Sequence, residues 1–170
     1  MIPGKIKKIL LSGPEIEKLA KKYKDYPNFL FLGRGQNFPI ALEGALKLKE
    51  VSYIHAEGLS AGEMKHGSIA LIDEQMPSFF IAVKDGQYNK VINNLLEIGA
   101  RQGHIIAVTT DKDQIIIDRA DDIIPIPECP PLLYPFLTVI PTQLFAYYVA
   151  RERGTNIDKP RNLAKAVTVE

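Results

Sequence analysis

Glu43, Lys47 and Glu50 recur in the segment EGALKLKE at spacings of four and three, which bring side chains together on a helix. At roughly 100° per residue the three fall within about 60° of one another. The rest of that cylinder carries Ile40, Ala41, Leu42, Ala45, Leu46, Leu48, Val51 and Tyr53, with Lys49 the one charged exception. A helix apolar almost all round is expected to be buried. Charges on it must then pair or line a cleft, because isolated buried charge is very costly. Two carboxylates and an ammonium at a cleft are the parts needed for proton transfer. An ordinary i,i+4 ion pair accounts for Glu43 and Lys47 and leaves Glu50 unexplained.

A second group with chemical potential closes the chain, in DKPRNLAKAVTVE (158–170). Leu163, Ala164, Ala166, Val167 and Val169 surround Lys165 with apolar groups, a pattern that argues for docking rather than a frayed end. A docked, desolvated lysine has a lowered pKa and becomes a usable amine nucleophile. Other motifs fail. GRGQNF opens like the dinucleotide fingerprint but has Phe38 at the third glycine position, so no nicotinamide cofactor is expected. His55-Ala56-Glu57 matches the H-x-E of zinc deaminases, yet Cys129, the only cysteine, is followed by Pro-Pro-Leu instead of completing P-C-x-x-C. Glu63 and His66 stand three apart without a third ligand at clear spacing, so no metal site is expected either. Taken alone, His66 reads as a hydrogen-bonded histidine at a helix end.

These groups need elements to hold them. At 170 residues one domain with a sizeable core is expected. Residues 5–24 read as two short amphipathic helices separated by Ser12-Gly13-Pro14. NFLFLG (28–33), PSFFIAV (77–83) and HIIAVTT (104–110) have the look of buried parallel strands, and DIIPIP (122–127) that of an edge strand on account of Pro125. The charged-stripe helix has Asn37 as its expected N-cap and Pro39 in its first turn. A polar turn through Gly58, Ser60 and Gly62 leads to a short helix around Glu63–His66. Another helix carries Val91, Ile92, Leu95 and Ile98, and a last one, about 134–153, is expected to kink or split at Pro141. This alternation predicts an α/β fold, a three-layer parallel sheet of four to five strands with helices on both faces. Ligands of such sheets bind beyond the carboxyl ends of the strands, where Gly33-Arg34-Gly35 lies. The 21 basic and 20 acidic side chains give a net charge of +1, with no basic run to suggest nucleic acid. No apolar stretch of membrane-spanning length and no signal peptide is read, and one cysteine suits a reducing cytosol.

The order FLGRG, PIALEGALKLKEVSYIHAEG, GEMKHGSIALID and KPRNLAKAVTVE resembles the glutamine–fructose-6-phosphate amidotransferases, or glucosamine-6-phosphate synthases. Within them it is similar to the second of the two sugar isomerase (SIS) domains of the synthase half. The resemblance covers residues 28–170, with residues 1–27 fitting the lead-in, 28–153 the α/β core and 154–170 a tail that closes the active site. One departure is Ser68, where the family usually has proline. The resemblance implies conversion of fructose 6-phosphate and glutamine-derived ammonia into glucosamine 6-phosphate. It assigns Schiff-base formation to Lys165, the proton shuttle to Glu50, and ring opening to His66 acting from a neighbouring subunit. Glu43 and Lys47 fall in a supporting substrate network, with Ala164 beside the lysine. Arg161 is expected to neutralise the phosphate or the neighbouring carboxylates.

The same resemblance implies parts that are missing here. The family's glutaminase begins with a cysteine nucleophile, whereas this chain begins Met-Ile-Pro, and its Ser/Thr-rich phosphate loop belongs to the other SIS domain. The chain is therefore expected to be a fragment or separate subunit, incomplete alone, partnered by a second copy, a companion SIS domain and a glutaminase domain. Two alternatives stand beside this reading: a non-catalytic sugar-phosphate-binding or dimerisation SIS module, and a phosphosugar isomerase or deaminase of the same fold. The tail NLAKAVTVE argues against both.

Overall fold

Strand residues of alternating side-chain direction split the apolar content of this chain into two cores. In the computed structural model, which describes residues 1–163, Phe29, Phe31, Phe79, Ile106 and Val108 face one layer of helices. Leu30, Leu32, Phe80, Ile105 and Ala107 face the other. The parallel sheet between them has the order β2-β1-β3-β4-β5, with β1 at Asn28–Gly33, β2 at His55–Ser60, β3 at Ser78–Ile81, β4 at Ile105–Thr110 and β5 at Asp122–Ile126. The first face is covered by α1 (Ile2–Leu11), α2 (Gly13–Tyr23), α3 (Phe38–Ser52) and α6 (Tyr134–Glu152). The second is covered by α4 (Tyr88–Gly99) and the single turn α5 (Gln114–Ile117). The two lead-in helices are present, meet at Ser12, and contribute Ile9, Ile16, Ala20 and Tyr23 to the first core. Pro125 sits on the edge strand β5, as its missing N–H requires.

Five sequence expectations are corrected. The stretch read as a polar turn is β2, paired along its whole length with β1 from Asn28↔His55 to Gly33↔Ser60. As an edge strand with His55 and Glu57 exposed, it lacks the apolar run that marks its neighbours. It also lies close under α3: a Cβ on Gly58 would stand 2.7 Å from Leu42 Cα. Asn37 does occupy the N-cap position of α3, yet its side chain donates to Asp85 Oδ2 at 2.9 Å instead of capping the helix. Helix α6 is not split at Pro141 and runs unbroken for 19 residues. Tertiary packing against α3 and α2 outweighs the lost hydrogen bond.

The fourth correction concerns hydropathy. Residues Pro131–Glu152 do reach the length and apolar character of a membrane span, with a mean hydropathy of 1.3. Their explanation is the core: Leu137, Phe145 and Val149 are fully buried against the sheet side of this layer. Nor is α3 buried all round. It buries Ala41, Gly44, Ala45 and Leu48, while Leu42 and Leu46 remain 44 % exposed.

Candidate active site

Helix α3 sets the frame of the site. It leaves the carboxyl end of β1 at Gly33 and returns to the amino end of β2 at His55, so Glu50, in its last turn, lies at the amino edge of the sheet. This is the end opposite to the one where such sheets usually bind ligands. The expected end does carry a cleft of 400 Å³, bordered by Gly35, Gln36, Asp85, Gln87 and Pro131. Its polar centre is Asp85, whose carboxylate accepts from Asn37 Nδ2 at 2.9 Å and from the Gln87 N–H at 2.8 Å. An acidic group already satisfied in this way is a poor cradle for a phosphate.

At the amino edge, Lys47 forms its ion pair with Glu50 and not with Glu43, the partner that the i,i+4 spacing suggested. Lys47 Nζ meets Glu50 Oε2 at 2.5 Å, with both side chains about two-thirds or more buried. The hydrogen bond to Glu50, helped by the charges of Glu50 and Glu43 and opposed by burial, raises the Lys47 ammonium above its ordinary pKa. A lysine held protonated is a fixed cation and not an amine nucleophile. Glu43 stands one turn away and accepts from Gln143 Nε2 of α6 at 3.1 Å.

Glu50 lines a cleft of 240 Å³ together with Lys49, Tyr53, Arg161, Asn162 and Leu163. The tail reaches this cleft because it satisfies the carbonyls that α3 leaves open at its end. Past α6 the chain turns at Gly154, whose φ of +68° is open to glycine without strain. Arg153 Nε then donates to the Ser52 carbonyl at 3.0 Å, and Thr155 Oγ1 donates to the Val51 carbonyl at 2.6 Å. Further on, the Arg161 N–H donates to Tyr53 Oη at 2.9 Å, and the Arg161 guanidinium lies 4.1 Å from the centre of the Tyr53 ring. Arg161 thus rests on an aromatic face. Lys165 and Ala164 lie outside the described residues, which end two positions before the lysine.

His66 is elsewhere. It ends the short 3-10 turn Met64–His66, beyond the carboxyl end of β2, with its side chain 77 % exposed and 3.7 Å from Glu63. The six residues of β2, a run of about 20 Å, separate that end from Glu50. Within one chain His66 and Glu50 therefore cannot act on one small molecule. Among the described residues no three His, Cys, Asp or Glu side chains gather as a metal set. Burial pushes the Cys129 thiol above its ordinary pKa, which keeps it a weak nucleophile. Sequence reasoning missed Tyr53, Arg153 and Thr155. The one available signal was the absence of Gly or Asn after α3, which leaves Tyr53 to take the left-handed C-terminal position at φ 62°.

The order β2-β1-β3-β4-β5 with helices on both faces, and a carboxylate–ammonium pair in the last turn of the first crossover helix, defines a doubly wound parallel α/β domain. Residues 22–153 match the model of the SIS domain, and the chain belongs to that family. Over 99 % of its length it is 54 % identical to the glutamine–fructose-6-phosphate aminotransferase (isomerizing) of Chlorobaculum tepidum and 53 % identical to that of Aquifex aeolicus. It spans only 28 % of each of those relatives. Among solved structures it superposes on the C-terminal domain of glucosamine-fructose-6-phosphate aminotransferase from Francisella tularensis with a TM-score of 0.86 at 36 % identity. That match covers 94 % of this chain and 45 % of that one.

Proposed function

We propose that this SIS domain supplies the Schiff-base and proton-transfer residues of a glutamine–fructose-6-phosphate aminotransferase, in the making of glucosamine 6-phosphate. One observation carries the reading: the tail is led along the end of α3 into a cleft with Glu50, and the sequence sets Lys165 two residues beyond Leu163. In this reading the Lys165 amine adds to the C2 ketone of open-chain fructose 6-phosphate and expels water as an imine. Glutamine-derived ammonia then adds to C2 and expels the Lys165 amine, leaving the imine of the sugar with ammonia. The imine nitrogen becomes an electron sink, the C1 proton becomes acidic, and Glu50 takes that proton and delivers it to C2. Lys47, held protonated by Glu50, keeps the carboxylate in place. Glu43 and Arg161 border the substrate, and His66 opens the sugar ring in the site of a neighbouring subunit. The opposite placement of His66 and Glu50 in one chain supports that last assignment.

The same reading needs partners. On the exposed sides of α3 and α6, Leu42, Leu46, Phe136 and Tyr147 are between 43 % and 60 % exposed. Exposed apolar groups of this kind suit a second SIS unit. We assign that face to a companion SIS domain or a second copy, with the phosphate cradle and the glutaminase carried outside this chain. A cytoplasmic location belongs to the reading, since a lone free cysteine suits a reducing compartment.

Borohydride trapping with fructose 6-phosphate tests the assignment. The chain, alone and with the rest of the Chlorobaculum tepidum relative added, is reduced and its peptides are weighed. A hexitol-phosphate adduct on Lys165, absent from Lys165→Ala, is the expected result. No adduct in either arrangement would leave a non-catalytic sugar-phosphate-binding module as the better reading.

A further inference from the structure

We propose that Tyr53 is a positioning residue, which clasps Arg161 and thereby sets the chain leading to Lys165 against Glu50. The inference rests on the site reading above and adds to it a residue that neither the charged stripe nor the tail lysine contains.

The backbone at Tyr53 is left-handed, with φ 62° and ψ 20°, at the position after α3 where glycine is favoured. An aromatic residue there is strained, and nothing in the helix requires it, because the Tyr53 N–H bond to the Lys49 carbonyl would form equally with glycine. The side chain accounts for the choice. Both of its functional parts are engaged by the same tail residue: the hydroxyl accepts the Arg161 N–H, and the ring carries the Arg161 guanidinium. Tyr53 also follows Glu50 by three residues, and the two side chains line one cleft.

The tail needs such an anchor. Arg153 and Thr155 hold its near end through the Ser52 and Val51 carbonyls. Among the described residues, the side-chain bond between Thr155 and Arg161 is internal to the turn, from the Lys159 N–H to Asn156 Oδ1. Beyond that turn, the clasp on Tyr53 is the contact that returns the chain to α3. Residues 161–163 are exposed, so burial does not hold them. Release of Tyr53 therefore lets the segment before Lys165 leave Glu50 without disturbing the core.

Three variants of the full chain test this: Tyr53→Gly, Tyr53→Phe and Tyr53→Ala. Glycine relieves the left-handed strain, so its melting temperature is expected to equal or exceed wild type, which separates the clasp from folding. The first readout is amide exchange at Arg161, which needs no substrate. Loss of the hydrogen bond and of the cation–π contact is expected to speed exchange by about tenfold or more in Tyr53→Gly and Tyr53→Ala. Tyr53→Phe keeps the ring and is expected to fall between. The second readout is the rate of borohydride-trapped adduct on Lys165, expected to drop about tenfold in Tyr53→Gly and to recover in part in Tyr53→Phe. Unchanged exchange would overturn the clasp. Faster exchange with an unchanged adduct rate would overturn its positioning role. If wild type itself yields no adduct, the site reading fails and takes the positioning role with it, while exchange still decides whether Tyr53 holds the tail.

Discussion

In the proposed site Lys47 and Lys165 divide two jobs that a single lysine cannot do together. An ammonium kept protonated by a carboxylate 2.5 Å away provides charge, and the nucleophilic amine must come from another residue. That is the physical argument for a second lysine in the proposed site, and Lys165 stands two residues beyond Leu163 in the sequence. If Glu50 is the proton shuttle, Glu50→Gln leaves imine formation intact and removes the base. In the assembled enzyme, turnover is expected to fall by about 10²–10⁴-fold while the trapped Lys165 adduct keeps its wild-type yield. An equal loss of adduct and turnover would assign Glu50 to binding instead. The charged stripe was legible in EGALKLKE because i,i+3 and i,i+4 spacing is a property of any helix. Tyr53 was not legible, because its role depends on a tail residue 108 positions away.

At the scale of elements, close backbone approach decides how α3 carries Glu50. Gly44 lets α3 settle on Phe31, and Gly58 lets β2 pass under the Leu42 backbone. A methyl group at Gly58 meets main chain that has no rotamer to change. Gly58→Ala is expected to cost about 2 kcal/mol, a fall in melting temperature of about 4–8 °C, readable by calorimetry. A second coupling ties α2 to the edge strand: Tyr23 Oη donates to Asp122 Oδ2 at 2.6 Å. Burial first, and then that hydrogen bond, raise the Tyr23 phenol well above its ordinary pKa of 10.0. The neutral phenol is thus favoured in the folded state, so the contribution is complete below pH 10 and declines as the unfolded chain ionises above it. Melting temperatures between pH 9 and 11 should fall, and Tyr23→Phe should flatten that slope. A parallel slope in both proteins would show that Tyr23 is not the group responsible. The buried strands β1, β3 and β4 announced themselves as apolar runs; β2 did not, since an edge strand with one face under a helix needs glycine and tolerates charge.

For the molecule as a whole, the separation of His66 from Glu50 and the exposed apolar residues of α3 and α6 suit the same remedy, a second copy. His66 and Glu50 stand at opposite ends of one sheet, and Leu46 and Tyr147 stand in solvent on adjacent helices. The chain is expected to sediment as more than a monomer, and Leu46→Glu combined with Tyr147→Glu to sediment as a monomer with an unchanged circular dichroism spectrum. Persistence of the oligomer in the double variant would place the contact elsewhere. By itself the amino-acid sequence determined the alternation of strands and helices, the placing of Glu43, Lys47 and Glu50 on one helical stripe, and the family, because each depends on residues near in the chain or on long contiguous motifs. Only the tertiary structure decided which end of the sheet holds Glu50, that Arg161 rests on Tyr53, and that His66 is out of its reach. Those facts depend on where distant segments meet, and the direction of a crossover helix relative to its strands fixes that meeting in space.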